Sequence, residues 1–225
     1  MQTTGDLLNP IREGLPSHSK RSGPMNEMEE EMVVAQRVMV ILGSPRRNGN
    51  SAILADQVAE GARNKGAAVE SFYLNGLNLK PCQGCERCQQ GDANGCVVDD
   101  DMHRIYPVLR ESDSIVIASP VYWFNVSAQT KVFIDRLFAV GVGKKNLLAG
   151  KKFVIILTYG DADPFVSGAV NALRSFQDMF RYLGATIEGM LYGSAFDAGE
   201  IRNNADLMER AYLLGNQLAT GPLEK

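Results

Sequence analysis

The chain has 225 residues, of which 45% are apolar, and its 23 Lys and Arg against 26 Asp and Glu give a net charge of −3. This length and apolar content suffice for one large or two small domains with a buried core. A slightly acidic chain is a poor match for a phosphate backbone, so we expect no nucleic-acid partner. The apolar runs reach about five residues where a membrane span needs about 20, so we expect no membrane partner either.

The first 35 residues carry two Gly/Pro breaks, a basic pair and an acidic run. No part of this segment has an apolar face to bury, so we predict a flexible N-terminal arm at 1–35. The chain does not open with a basic stretch followed by an apolar block, so we expect no secretory signal and a cytoplasmic location. The folded domain is predicted over 36–220.

From residue 37 onward, apolar runs of strand length alternate with stretches of helical period. The strand pattern covers 38–42, 68–74, 114–118, 153–157 and 185–192. Apolar residues recur at helical spacing between these runs, most clearly from Val166 to Leu183 and from Leu207 to Leu218. This alternation predicts a parallel sheet with helices on both faces. Because such sheets bind ligands beyond the carboxyl ends of their strands, the segments after each strand are the candidate site.

The segment after the first predicted strand, 43–51, reads Gly-Ser-Pro-Arg-Arg-Asn-Gly-Asn-Ser and opens a predicted helix. A junction of this kind directs backbone N–H groups and the positive helix end at one point, which suits a phosphate. The segment lacks the Gly-Lys-Ser/Thr of a Walker A motif and the second glycine of Gly-x-Gly-x-x-Gly. We therefore expect a monophosphate such as that of FMN, the alternative being an ordinary turn with a helix cap.

This loop and a second segment together resemble the NADPH-dependent FMN reductase and iron–sulfur flavoprotein families. The second segment begins Ser-Pro-Val-Tyr at Ser119 and continues with Ser127, Lys131, Asp135 and Arg136 at the family's spacing. The resemblance implies a flavodoxin-like three-layer α/β sandwich, with a five-stranded parallel sheet of order 2-1-3-4-5. It also implies that five residues of the first loop hold the FMN phosphate: Ser44, Arg46, Asn48, Asn50 and Ser51.

The segments after the third and fourth strands reach the same edge of the predicted sheet. The third is followed by a proline, a valine and three aromatic residues that are predicted to hold the flavin ring: Pro120, Val121, Tyr122, Trp123 and Phe124. An aromatic loop that covers the core or joins a subunit interface is the alternative. In the resembling families the loop after the fourth strand flanks the ring, which implies Thr158, Tyr159 and Gly160 here; a plain turn is the alternative. We interpret Lys131, Asp135 and Arg136 as structural charges of the next helix.

All four cysteines fall within an aperiodic insert at 75–98 and have the spacing C-x2-C-x2-C-x7-C: Cys82, Cys85, Cys88 and Cys96. The spacing is similar to the cluster motif of the iron–sulfur flavoproteins, which implies a [4Fe–4S] cluster. Free thiols or a disulfide, and a zinc site, remain open alternatives. His18 and His103 are the only histidines, and we expect both to face solvent, so a hydrolytic triad is not expected.

These features predict an FMN-dependent oxidoreductase with NAD(P)H as co-substrate. Electrons would pass to a small acceptor such as a quinone, an aromatic compound or a flavin, directly or through the cysteine-bound cluster, while the flavin performs the chemistry. The alternative is an iron–sulfur flavoprotein that carries electrons to and from ferredoxin-like partners. The resemblance further implies a homodimer or homotetramer.

Overall fold

The computed structural model of the chain describes residues 35–90, 95–143 and 146–220. The predicted N-terminal arm lies outside these ranges, apart from residue 35. His18 lies outside them as well.

The described chain alternates strands and helices, as the sequence predicts. The strands are β1 (Arg37–Leu42), β2 (Ala68–Tyr73), β3 (Ser114–Tyr122), β4 (Asn125–Val126), β5 (Lys152–Tyr159) and β6 (Thr186–Ser194). The helices are α1 (Asn50–Asn64), α2 (Met102–Glu111), α3 (Ala128–Arg136), α4 (Phe138–Gly141), α5 (Ala169–Leu183) and α6 (Ala205–Ala219). Between β2 and α2, the described residues of the predicted insert form only short 3-10 turns at Leu74–Gly76 and Arg87–Gln89.

The long strands form a parallel sheet in the order β2-β1-β3-β5-β6. The predicted fold class is confirmed, and over these five strands the order is the expected 2-1-3-4-5. The predicted strand count was wrong, because a sixth, two-residue strand, β4, pairs antiparallel with the end of β3. The cause is that β3 continues four residues past Ala118, through Pro120, before the chain turns back at Trp123 and Phe124.

Apolar side chains of the central strands alternate between the two faces of the sheet. In β1, Met39 and Ile41 pack into a core shared with α2, α3 and α5, whereas Val38 and Val40 pack into a core shared with α1 and α6. Strands buried on both faces read as unbroken apolar runs, which is why the sequence located them. The result is a sheet between two helical layers, with the carboxyl ends of its strands at one edge.

The start of α5 corrects one prediction. The apolar stripe was expected to begin at Val166, but the helix begins at Ala169 and Val166 is 62% exposed in the preceding turn. Gly168 precedes the helix with a φ of 73°, a left-handed conformation that favours glycine. No helix within the described ranges combines the length and the apolarity that a bilayer crossing requires.

Candidate functional site

Two adjoining cavities lie at the carboxyl edge of the sheet. The first, of about 280 Å³, brings together most of the predicted site residues, namely Ser44, Arg46, Asn50, Ser51, Pro120, Val121, Tyr122, Thr158, Tyr159 and Gly160. The second, of about 510 Å³, shares part of this wall and adds Trp123 and Phe124. Of the predicted flavin-site residues, Asn48 alone lies outside both cavities, on the exposed side of its loop.

The first helical turn of α1 faces the first cavity with unused hydrogen-bond donors. The helix begins after Gly49 without a side-chain cap, so its first backbone N–H groups have no partner within the helix. The Oγ of Ser51 is buried and has no hydrogen-bond partner among the described residues. Such an orphaned buried hydroxyl costs about 1–3 kcal/mol unless a ligand satisfies it. Together with the Ser44 hydroxyl and the Arg46 side chain, these donors fit a phosphate.

Buried hydroxyl groups hold the beginning of this loop from behind. The Oγ of Ser127 donates to the carbonyl of Gly43 at 2.6 Å and also caps α3 by accepting from the N–H of Thr130. Ser119 accepts from the N–H of Ser127 at 3.0 Å. A Cβ on Gly43 would lie 1.8 Å from the Oγ1 of Thr130, so only glycine fits there. The two serines of the second motif therefore position the loop.

A tyrosine of β2 fixes the middle of the loop. The hydroxyl of Tyr73 donates to the carbonyl of Pro45 at 2.6 Å, and the guanidinium of Arg47 stacks 4.2 Å from the centre of its ring. Arg47 is thereby engaged on Tyr73, and Arg46 is the arginine in the wall of the cavity.

The side chain of Asn50 is engaged within the fold. Its amide donates to the carbonyls of Ala195 and Asp197, and its oxygen accepts from the N–H groups of Gly199 and Ile201. Because both amide hydrogens are already used, the side chain has no donor left for a phosphate. Asn50 instead ties the loop after β1 to the segment that follows β6.

That segment supplies residues that the sequence analysis missed. Ala195, Phe196 and Asp197 complete the wall of the first cavity, and Phe196 is 77% exposed at its rim. The carboxylate of Glu200 holds the turn by accepting from the N–H groups of Phe196 and Asp197 at 2.6 and 2.9 Å. The signal was available, since this segment follows a predicted strand of the same parallel sheet.

The aromatic turn between β3 and β4 has an unusual backbone. Trp123 and Phe124 have φ values of 46° and 63°, and a left-handed non-glycine residue costs about 1–3 kcal/mol. Phe124 packs so closely on Gly168 that a Cβ there would lie 2.5 Å from the Cβ of Phe124. The turn thus presents Trp123, 91% exposed, beside the second cavity.

Tyr159 lies between the two cavities and lines both. Burial raises the pKa of its hydroxyl, and the nearby Tyr192 and Asp163 raise it further. The hydroxyl therefore stays protonated near neutral pH and can donate a hydrogen bond.

The four cysteines line a third cavity, of about 340 Å³, together with Asp135 and Phe138 next to the end of α3. Cys82 and Cys85 are exposed, Cys88 is half-buried and Cys96 is buried. Within the described ranges, no three His, Cys, Asp or Glu side chains are gathered closely enough for one metal ion. Thiolates are ligands of zinc and of iron–sulfur clusters alike, so the chemistry of these four side chains suits either centre.

The thiols of this cavity differ in acidity. Hydrogen bonds from the backbone and side chain of Arg87 hold the pKa of Cys85 below its ordinary value. Burial raises the pKa of Cys88. The exposed Cys85 is therefore the thiol of this pair that ionises more readily.

In comparisons with known proteins, the chain matches a family of flavin reductases and a relative named iron–sulfur flavoprotein. The model of the NADPH-dependent FMN reductase family matches residues 36–192. An iron–sulfur flavoprotein of Archaeoglobus fulgidus is 34% identical over 182 residues, which are 80% of this chain and 77% of that protein.

Solved structures support the fold. An NAD(P)H:quinone oxidoreductase from Methanothermobacter marburgensis superposes with a TM-score of 0.64 at 18% identity, over 85% of this chain and 100% of the other. A flavodoxin from the Archaea superposes with a TM-score of 0.50 at 14% identity, over 82% of this chain and 96% of the other. These likenesses bear out the flavodoxin-like sandwich.

Proposed function

Because the chain belongs to the NADPH-dependent FMN reductase family, we propose that it is an FMN-containing NAD(P)H oxidoreductase that holds the flavin in the two adjoining cavities. The observation that carries the assignment of the site is the orphaned hydroxyl of Ser51, buried at the uncapped start of α1. A phosphate there would satisfy this hydroxyl and the free N–H groups of the first helical turn.

The remaining contacts follow from the walls of the cavities. Ser44 and Arg46 would hold the phosphate from the other side of the loop. The backbone at Val121 and Tyr122 and the loop at Thr158, Tyr159 and Gly160 would border the ring. When bound, FMN supplies the electron chemistry, accepting a hydride from a nicotinamide and releasing electrons to an acceptor. The protein contributes orientation, and the protonated Tyr159 offers a hydrogen bond.

The acceptor is proposed to be a small planar molecule such as a quinone, an aromatic compound or a free flavin. The second cavity is open to solvent beside Trp123 and Phe124, whose rings can pack on a planar compound.

Exposed aromatic side chains also favour association of copies of the chain, and we propose a homodimer or homotetramer.

A second candidate function rests on the cysteine cavity. Four thiols around one cavity, and a relative named iron–sulfur flavoprotein, favour a [4Fe–4S] cluster held by Cys82, Cys85, Cys88 and Cys96. Such a cluster would supply single-electron chemistry at the protein surface, because two of the four thiols are exposed. The protein would then carry electrons to and from a ferredoxin-like partner.

One anaerobic experiment distinguishes these functions. The full chain is purified without oxygen, analysed for flavin, iron and zinc, and mixed first with NADPH or NADH and then with a quinone. An oxidoreductase bleaches its flavin with pyridine nucleotide alone and regains colour with the quinone. A carrier stays yellow with pyridine nucleotide and bleaches only with a reduced ferredoxin-like donor. Failure to bind FMN would refute both functions, and zinc or free thiols in place of iron would refute the cluster.

A further inference from the structure

An ion pair is buried between the two helices that flank the cysteine segment. Arg136 ends α3, Asp100 precedes α2, and both side chains are wholly buried. The guanidinium of Arg136 donates two hydrogen bonds to the carboxylate of Asp100, from Nη1 to Oδ2 at 2.5 Å and from Nη2 to Oδ1 at 3.1 Å. Burying a charged pair is costly, and further hydrogen bonds to its polar atoms offset part of that cost, so those bonds indicate what the pair does.

The further bonds go to the beginning and the end of the cysteine segment. Lys80, two residues before Cys82, donates its N–H to Asp100 at 2.8 Å and accepts from Arg136 on its carbonyl at 2.7 Å. Asp100 also accepts from the N–H of Met102 at 3.0 Å. One ion pair therefore fixes both peptide groups of Lys80 against the start of α2.

Neighbouring residues reinforce this junction. The N–H of Asn78 donates to the carboxylate of Asp101 at 2.7 Å, and the N–H of Asp101 donates to the carbonyl of Asn78 at 3.1 Å. The ammonium of Lys80 donates to the carbonyl of Asp99 at 3.0 Å. The segment that carries all four cysteines is thus closed at its base.

The same pair reaches the wall of the cysteine cavity. The hydroxyl of Tyr106 donates to the carbonyl of Arg136 at 3.0 Å, and its ring lies where a Cβ on Gly95 would come within 2.6 Å. Gly95 directly precedes Cys96, the buried thiol of the cavity. The Nε of Arg136 is buried without a hydrogen-bond partner among the described residues.

We propose that the Asp100–Arg136 pair is a clasp that arranges the four thiols around their cavity before any metal binds, with Arg136 as the positioning residue. The inference rests on the proposed cluster for its purpose, but the clasp itself is a property of the apo chain. Two apolar residues of similar volume could stabilise the fold equally well. They could not bind both peptide groups of Lys80, and this is what aligns the segment.

The test compares Arg136→Lys with the wild-type chain, both purified as apo protein. A lysine keeps the charge but has one nitrogen, which cannot bind both carboxylate oxygens and the Lys80 carbonyl in the fixed geometry of a guanidinium. We expect Cys96 to be alkylated at least about 10-fold faster in the variant, measured by mass spectrometry, and iron uptake after anaerobic reconstitution to fall from about four atoms per chain to below one. Arg174→Lys, in the exposed pair with Asp178, is the matched control and should change neither.

FMN affinity separates this role from general loss of structure. The phosphate loop lies at the other end of α3, so Arg136→Lys should bind FMN within twofold of the wild type. Wild-type alkylation of Cys96 and wild-type iron uptake in a variant that binds FMN normally would overturn the proposal. If the wild type takes up no iron, the cluster fails, while the alkylation rates still decide the clasp.

Hydrogen exchange on the wild type provides a second measurement if the variant does not fold. A closed clasp requires the N–H groups of Lys80 and Met102 to exchange as slowly as the core of β3, since they open only with the whole fold. Exchange at the rate of exposed loops would show that the pair does not hold the segment.

Discussion

Replacing Ser51 by alanine shows whether its hydroxyl stabilises the fold itself or binds a ligand. The Oγ of Ser51 is buried without a partner among the described residues, so its removal deletes no hydrogen bond of the apo fold. Alanine is also the better helix former at this position, the second of α1. We therefore expect the free energy of unfolding of the apo chain to rise by about 1–3 kcal/mol, the cost of the orphaned hydroxyl that is removed.

The affinity for FMN, in contrast, should fall strongly in the Ser51→Ala variant. A hydrogen bond to a charged group contributes about 1.5–3 kcal/mol, which corresponds to a loss of about 10- to 150-fold in FMN affinity. The affinity is measured by quenching of flavin fluorescence, and the stability by urea unfolding without flavin.

Ser114 provides a matched control for this experiment. Its Oγ is also buried and unpartnered within the described chain, but Ser114 begins β3, at the opposite edge of the sheet from the cavities. Ser114→Ala should therefore leave FMN affinity unchanged. If Ser51→Ala binds FMN within twofold of the wild type, or loses more than about 1 kcal/mol of apo stability, the assignment of this hydroxyl to the phosphate is wrong.

Three further predictions concern the surroundings of the cavities and are read by urea unfolding. Gly43→Ala places a Cβ 1.8 Å from the Oγ1 of Thr130 and should lower the free energy of unfolding by about 1–3 kcal/mol, with partial recovery on adding Thr130→Ala; no recovery would contradict the steric explanation. Asn50→Ala removes four hydrogen bonds to residues 195–201 and should cost about 1–3 kcal/mol; a loss near zero would show that another contact holds that segment. Asp100→Asn breaks the buried pair with Arg136 and should cost about 3–5 kcal/mol at pH 7.

The loss of stability in Asp100→Asn is expected to depend on pH. Burial acts to raise the pKa of Asp100, but the hydrogen bonds from Arg136 and from the N–H groups of Lys80 and Met102 outweigh it and hold the pKa below its usual range. A lowered carboxyl pKa stabilises the fold fully above the unfolded value of about 3.9 and less as pH falls through the folded value. The advantage of the wild type over Asp100→Asn should persist at pH 5 and shrink below about pH 4. An advantage that is unchanged in acid would contradict this linkage.

The sequence was sufficient for the sheet and for most of the site, because both follow local patterns. Apolar runs located the five long strands, and the parallel sheet then placed the segments after them at one edge. Residues of the first, third and fourth of those segments do line the adjoining cavities. The segment after β6 follows from the same rule, and it was missed because no recognised motif lies in it.

Long-range pairing was not predictable in the same way. Arg136 was grouped with Lys131 and Asp135 as a structural charge of one helix, and those two do form an exposed pair at 2.5 Å. Arg136 faces inward instead, toward Asp100, which lies 36 residues earlier in an acidic run that also reads as an ordinary helix start. The left-handed backbone conformation of Trp123 could not be predicted from residue propensities either, since aromatic residues rarely adopt it.

Helix α3 contacts both candidate sites. Its capping residue, Ser127, donates a hydrogen bond to the carbonyl of Gly43, and Asp135 in its last turn lines the cysteine cavity. Nine residues make it a rod of about 13 Å. The spacing between the start of the phosphate loop and the thiol-lined cavity is therefore set by a single helix. Loop movements at either mouth could change access by outside molecules while leaving that internal spacing constant.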